Sequence, residues 1–226
     1  MRRVAWAVVV CLALAAGRVG GQQTEPPDGS DAYLTWTTRE AQRIGQAMRA
    51  DGRVGGAFDL RGLHTDRAYN YKLRATWLTA DVIRAAARLA QGSSGLTNDQ
   101  TRALVAEADG AGDTVVLVEI DPREGSGVIP LEWLAFLGPR GGSPGEPGVV
   151  KGTSVPALRS ARVLSGTFRR DYSYEVFWII FPLRTESGVP VFPTEVSEAE
   201  LIVRIHDKEG RVRWRVPDAV RARSSS

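Results

Sequence analysis

Alternation of apolar and polar residues is the sequence feature that most limits what this chain can fold into. Between residues 69 and 77 every second side chain is apolar or aromatic, which is typical of a strand with one buried face. Further strand patterns, separated by turns that contain Gly or Pro, lie at residues 115–118, 129–137, 161–168, 172–181, 199–206 and 211–216. Strands in this number, without βαβ alternation, predict a β-rich α+β fold, built as an antiparallel β-sandwich (immunoglobulin-like) or as a partly open barrel.

Helices are predicted beside these strands, each preceded by a threonine suited to the N-cap position: Thr37 or Thr38, Thr79 and Thr97. The first is an N-terminal helix that ends at about Ala50. The other two form a helical hairpin inserted between the first and second strands, and the first of these ends at Gly92. Gln100 follows Thr97 at the spacing of a capping box.

The N-terminal segment, residues 1–21, has the layout of a secretory signal peptide. Arg2 and Arg3 precede an uncharged, apolar run over residues 4–16, which small residues follow. A membrane-spanning helix needs about 20 apolar residues, so this run is too short to anchor the chain. We therefore expect the signal to be removed, no transmembrane segment to remain, and the protein to be exported to the periplasm or the extracellular space.

Removal of the signal also removes features that would otherwise indicate other functions. Cys11 is the only cysteine, so the mature chain is expected to have no disulfide and no thiolate metal site. Three of the 29 Lys and Arg residues lie in the signal, which leaves 26 against 26 acidic residues. A chain without net positive charge lacks the electrostatic basis of nucleic-acid binding, so no nucleic-acid partner is expected.

Composition also predicts how the rest of the chain is organised. Residues 22–30 are polar and contain Pro and Gly, which is typical of a flexible tether. The segments that follow are the N-terminal helices and first strands at 31–137, a Gly- and Pro-rich loop at 138–148, a C-terminal strand region at 149–218 and a disordered tail at 219–226. We expect the two strand-bearing regions to form one domain.

His64 is the first candidate for a catalytic residue. It lies in a Gly-rich stretch near Asp59 and Asp66, so a hydrolytic site can be drawn around it, but a surface loop explains the same residues. The chain contains no phosphate-binding loop, no dinucleotide fingerprint and no serine-nucleophile elbow. The sequence therefore predicts no catalytic residue, no metal site and no cofactor.

The C-terminal hairpin, residues 199–216, is predicted to belong to the β core. Its turn is expected at residues 207–210, with Gly210 in the left-handed conformation. His206 and the acidic residues after it resemble a small metal-ligand cluster, but turn chemistry accounts for them. Trp214 shares an inward face with valines of its strand, and we expect it to be buried.

Aromatic and arginine side chains form the candidate binding surface. Tyr172 and Tyr174 share one face of a predicted strand, and the last strand carries a stripe of arginines: Arg211, Arg213 and Arg215. Such side chains bind proteins and glycans, although core aromatics and a solvated stripe give the same pattern. The sequence predicts an exported, noncatalytic binding or interaction domain, whose partner is an envelope or extracellular protein or a glycan. The alternative is a secreted or periplasmic hydrolase that uses His64 and nearby carboxylates.

Export with signal removal can be tested on protein isolated from its native host. Intact-mass spectrometry should find a chain that lacks the N-terminal segment up to a cleavage site no later than about residue 21, and that therefore lacks Cys11. A mass that includes Met1 would contradict cleavage. A lipid on Cys11 would show instead that the chain is an anchored lipoprotein.

Overall fold

The computed structural model describes residues 31–56, 70–111, 114–121, 132–155 and 175–225, which are of mixed helix and strand. The strands are β1 (Arg49–Val54), β2 (Tyr71–Trp77), β3 (Thr114–Asp121), β4 (Trp133–Pro139), β5 (Val150–Lys151), β6 (Thr153–Ser154), β7 (Glu175–Phe181), β8 (Glu198–Ile205) and β9 (Lys208–Arg215). The helices are α1 (Thr38–Ala47), α2 (Ala80–Ser94), α3 (Asn98–Asp109) and α4 (Asp218–Ser225), and a short 3₁₀ helix (Ala32–Thr35) precedes α1.

The described strands belong to one antiparallel sheet, whose order is β5-β4-β8-β9-β1-β2-β3-β7-β6. The two outermost strands are joined by a single residue, Gly152, so the sheet curves until its two ends meet. The sheet is therefore a nearly closed barrel. This confirms the predicted antiparallel, β-rich fold, but in the described residues the strands do not divide into the two packed sheets of a sandwich.

Residues 150–155, the bridging segment, join the two ends of the sheet through backbone hydrogen bonds on both sides. On one side, the Gly152 N–H donates to the Ala135 carbonyl of β4 at 2.9 Å. On the other side, the Val155 N–H donates to the Trp178 carbonyl of β7 at 2.9 Å. The segment thus satisfies backbone groups that would otherwise lie at open sheet edges, which are templates for aggregation.

Inward-facing side chains fill the barrel with a hydrophobic core. The ring of Trp77 lies 5.6 Å from that of Trp214 and 5.7 Å from that of Phe192. Trp214 is 7 % exposed, and its indole Nε1–H donates to the Met48 carbonyl at 3.0 Å. Burial of Trp214 is therefore confirmed, and its one polar group is satisfied, as a buried tryptophan requires.

A second hydrophobic cluster lies between the helices and the outer wall of the barrel. Residues of α2 and α3 pack there against β3 and β7: Val82, Ile83, Ala86, Ala87, Val105, Ala108, Val115, Leu117 and Trp178. Every residue of β3 is buried. The apolar run at 115–118 is therefore covered on both faces, by the barrel core on one side and by the helices on the other.

The predicted helix starts agree with the structure, whereas two helix ends differ. Thr79 caps α2, and Thr97 with Gln100 forms the capping box of α3. α2 continues past Gly92 to Ser94 and is terminated by Gly95, whose φ of +66° is left-handed. α1 begins after Thr37 and ends at Ala47, short of the predicted end at Ala50.

β1 begins at residues for which the sequence predicts the end of the N-terminal helix. Its inward positions are small because β9 passes close by: a Cβ on Gly52 would lie 2.6 Å from Val212 Cγ1. Its outward positions carry charges: Arg49, Asp51 and Arg53. The segment therefore lacks the apolar alternation by which a strand is recognised in a sequence.

The turn of the C-terminal hairpin is shorter than predicted. β8 ends at Ile205, and His206 and Asp207 form the turn before β9, with His206 at φ +54°. Gly210 lies inside β9 and does not form part of the turn. A Cβ there would lie 2.5 Å from the Arg53 carbonyl oxygen, so this glycine permits the close approach of two strands.

The C-terminal residues also differ from the prediction of a disordered tail at 219–226. Asp218–Ser225 form α4, in which Val220 and Ser224 are buried. The Ser224 hydroxyl accepts a hydrogen bond from the Phe192 N–H at 3.3 Å. A short polar helix with so few inward residues gives no amphipathic pattern to detect.

The described residues from Ala32 onward belong to one compact unit. The predicted signal, tether and strand at 161–168 lie outside the described ranges.

Substitution of Gly152 tests whether the bridging segment closes the barrel. A Cβ on Gly152 would lie 2.3 Å from Ile179 Cγ2 and 2.6 Å from Phe181 Cε1, so Gly152→Ala must displace core side chains. We expect the free energy of unfolding to fall by about 1–3 kcal/mol in urea melts. Gly56→Ala is the matched control because a Cβ there meets nothing within 4 Å. Equal stability of the two variants would contradict this account of closure.

Candidate functional site

An open groove lies on the outer surface of the barrel beside the bridging segment. Its volume is about 830 Å³, within the range of roughly 300–1,000 Å³ that ligand pockets occupy. One wall is part of the loop that joins β4 to β5, and the other is the segment that follows β7. The lining residues are Phe136, residues 145–151, Pro182, residues 184–187 and Val189.

The groove exists because the strand ladder stops beside Pro182. The bridging segment pairs with β7 through Thr153 opposite Ile180. Two residues further along the same register, Lys151 would lie opposite Pro182. Proline has no backbone N–H and cannot donate to a ladder, so regular pairing ends and the wall of the barrel opens at this point.

Apolar side chains are exposed to solvent at the groove. Val189 is 54 % exposed, although hydrophobic side chains of this size are mostly buried in the described residues. Phe136, which points outward from β4, is half-buried beside it in the lining. Leu134 is 40 % exposed on the same strand as Phe136 but does not line the groove.

The rim of the groove carries charges of both signs: Glu146, Lys151, Arg184 and Glu186. Its two walls are held by local hydrogen bonds. The Glu146 carboxylate accepts from the Ser143 N–H at 2.9 Å, which fixes the β4–β5 loop. Arg184 Nη1 donates to the Gly188 carbonyl at 2.9 Å, which fixes the turn on the opposite side.

Two of the three predicted arginines form ion pairs on the outer face of β8 and β9. Arg211 Nη1 and Arg213 Nε each lie 2.6 Å from a carboxylate oxygen of Glu200. Arg211 Nε is also 2.7 Å from Glu209. Arg215 is exposed on the same face. The stripe is therefore not a free cationic surface, because Arg211 and Arg213 neutralise a buried acid.

Glu200 is the centre of this network, and its side chain has no solvent exposure. Burial by itself would raise the pKa of the carboxyl group. Hydrogen bonds from Arg213, from Arg211 and from the Gly141 N–H outweigh burial and hold the pKa of Glu200 below its ordinary value. The carboxylate is therefore ionised in the folded protein at neutral pH.

A second charged row crosses the outer face of β1, β2 and β3. Arg74 Nε donates to an Asp51 carboxylate oxygen at 2.8 Å, and Arg74 lies opposite Glu119 in the ladder. Arg74 and Glu119 are both buried. Cross-strand pairs of opposite charge stabilise a sheet, so this row is explained by the register of the strands.

The remaining predicted site residues are not tested by the structure. His64, Asp59, Asp66, Tyr172 and Tyr174 all lie outside the described residues. Neither the hydrolytic site around the histidine nor the aromatic platform is therefore placed.

His206 is exposed at the hairpin turn. Glu209, one of the acidic residues of that sequence cluster, instead accepts hydrogen bonds from Arg204 at 2.8 Å and from Arg211 at 2.7 Å. Within the described ranges no group of three His, Cys, Asp or Glu side chains is placed to hold a metal ion.

Comparison of the chain with protein-family models, with curated proteins and with solved structures finds no match. Among the helices in the described part of the chain, none is both long enough and apolar enough to cross a membrane.

Neutralisation of Glu200 tests the role of the buried carboxylate. Glu200→Gln removes the charge that Arg211 and Arg213 share, and we expect the free energy of unfolding at pH 7 to fall by about 2–3 kcal/mol in urea melts. This value is below that for fully buried pairs because the Arg213 side chain is 54 % exposed. Glu198→Gln is the matched control, since the exposed Glu198 carboxylate pairs with the exposed Arg140 and should change stability little.

The pH dependence gives an independent readout on the same variant. The folded-state pKa of Glu200 is below its ordinary value of 4.5, so its ionised form stabilises the fold above pH 4.5. This contribution is lost as the pH falls through the folded-state pKa. Wild-type stability should therefore decline more steeply than that of Glu200→Gln between neutral and acidic pH. Parallel declines would show that Glu200 contributes no such pH dependence.

Proposed function

We propose that this protein is an exported, noncatalytic binding domain and that the groove beside the bridging segment is its ligand site. The observation that carries the proposal is the exposure of Val189, together with the half-buried Phe136, in the lining of a concave surface of about 830 Å³. An apolar surface that is both exposed and concave is typical of sites that bury part of a partner. The partner we favour is an envelope or extracellular protein, because its apolar side chains would cover this surface.

Two further observations support a binding role for the groove. Its walls are held by the hydrogen bonds of Glu146 and Arg184, so little ordering is needed when a ligand binds. The rim charges of both signs surround the apolar lining, which is the usual arrangement of a polar rim around an apolar centre in protein interfaces.

Export is part of the same proposal and is supported by the sequence of residues 1–21. A protein that loses this segment would reach the periplasm or the extracellular space without Cys11 and would meet its partner there. The domain would then be held by its barrel core and ion pairs, with no disulfide to support it.

A pair of matched substitutions tests the groove. Val189→Asp places a charge in the apolar lining, whereas Leu134→Asp places the same charge on the outer wall of the barrel outside the lining. Tagged wild-type protein and both variants are incubated with the envelope fraction of the host, and captured proteins are quantified by mass spectrometry. The captured amount of the specific partner should be at least tenfold lower with Val189→Asp than with the wild type, and unchanged with Leu134→Asp.

Thermal melts must first show that both variants are folded. Capture that is unaffected by Val189→Asp, or lost equally in both variants, would contradict the assignment of the groove as the ligand site.

A further inference from the structure

We propose that the groove binds an extended polypeptide segment, which adds to the bridging segment as a β-strand through the backbone of Lys151. This inference rests on the proposed function of the groove and specifies its ligand class. It is carried by the direction of backbone groups along residues 150–155 and by the position of Pro182.

The ladder geometry shows which side of the bridging segment each backbone group faces. In an antiparallel pair, the N–H and C=O of successive residues point alternately toward one neighbour and the other. Gly152 donates to Ala135 of β4, and Val155 donates to Trp178 of β7. The backbone N–H and C=O groups of even-numbered residues in the segment therefore point toward β4, and those of odd-numbered residues point toward β7. Lys151 is odd-numbered, so its N–H and C=O point away from β4.

Pro182 explains why the Lys151 carbonyl has no donor across the register, and no backbone hydrogen bond from the Lys151 N–H to a described residue is present there. Lys151 and Pro182 would form the next hydrogen-bonded pair after Thr153 and Ile180. Pro182 has no N–H to donate to the Lys151 carbonyl, and among the described residues no backbone hydrogen bond joins the two. Both lie in the groove lining, so the open backbone edge faces the groove.

An extended peptide fits this edge better than a glycan does. A strand presents N–H and C=O together at alternate residues, which complements the N–H and C=O of Lys151. Its alternate side chains would point to the outer surface, where the exposed Val189 and the half-buried Phe136 line the groove. Rim charges of both signs favour a peptide of mixed charge over a ligand with a single sign of charge.

Lys151 offers a substitution that removes the open-edge donor alone. Its N–H does not take part in pairing with β4, so Lys151→Pro deletes the donor that faces the groove and leaves the β4 ladder intact. Lys151→Ala is the matched control, because it removes the lysine charge and keeps the N–H.

The probe is a random dodecapeptide display library, selected against the full chain and counter-selected against Val189→Asp. The most enriched peptide is then synthesised in two N-methylated forms, one methylated at even positions and one at odd positions. A bound strand uses one edge for pairing, so we expect one form to lose at least tenfold in affinity and the other to bind within threefold of the parent. The affinity for the unmodified peptide should fall at least tenfold in Lys151→Pro and less than threefold in Lys151→Ala.

Hydrogen exchange is measured on the wild-type protein, so the result does not depend on whether a variant folds. The Lys151 amide should exchange rapidly in the free protein and be protected at least tenfold by the peptide. A different outcome would overturn strand addition while leaving the groove as a binding site. In that outcome the peptide does not bind Val189→Asp, both N-methylated forms bind the wild type equally, and the Lys151 amide is not protected. If no peptide is enriched over Val189→Asp, strand addition is wrong; the proposed function is judged separately by the envelope-capture experiment.

Discussion

Closure of the sheet by the bridging segment is the constraint on which the rest of the structure depends. A curved antiparallel sheet of this length must satisfy the backbone groups of its two outer strands, and residues 150–155 do so by pairing first with β4 and then with β7. The switch between neighbours occurs at Gly152, where Ile179 and Phe181 leave no room for a Cβ. The enclosed core and the groove both follow from this switch, because a segment that changes partners cannot pair fully with either.

Ion pairs organise part of the outer wall of the barrel. Glu200 is held by Arg211 and Arg213 on β8 and β9, and Asp51 is joined to Arg74 on β1 and β2. Such pairs are worth little to stability when they are fully exposed. Their effect here is to specify register, since a shift of one residue would place a buried carboxylate against apolar neighbours.

The sequence predicts elements whose signal is local. β2 and β3 were recognisable from their own side chains, and so were the caps at Thr79 and Thr97, because alternation and capping are properties of neighbouring residues. β1 could not be recognised because Gly52 is small to suit Val212, which is distant in the chain. The groove depends in the same way on the register between Lys151 and Pro182, which no local pattern contains.

The wrong predicted position of the hairpin turn also hid the pairing of Glu200 with Arg213. With His206 and Asp207 as the turn, Glu200 and Arg213 lie directly opposite each other. A turn at residues 207–210 would have shifted the strands and moved Arg213 away. The arginine stripe therefore looked free in the sequence, although its counter-charge was present on the neighbouring strand.

The first and last of the described strands, β1 and β9, are neighbours in the barrel, with Val54 opposite Gly210. The wall consequently cannot be completed until nearly the whole chain is available, and a growing chain must keep β1 unpaired on that side until β9 arrives.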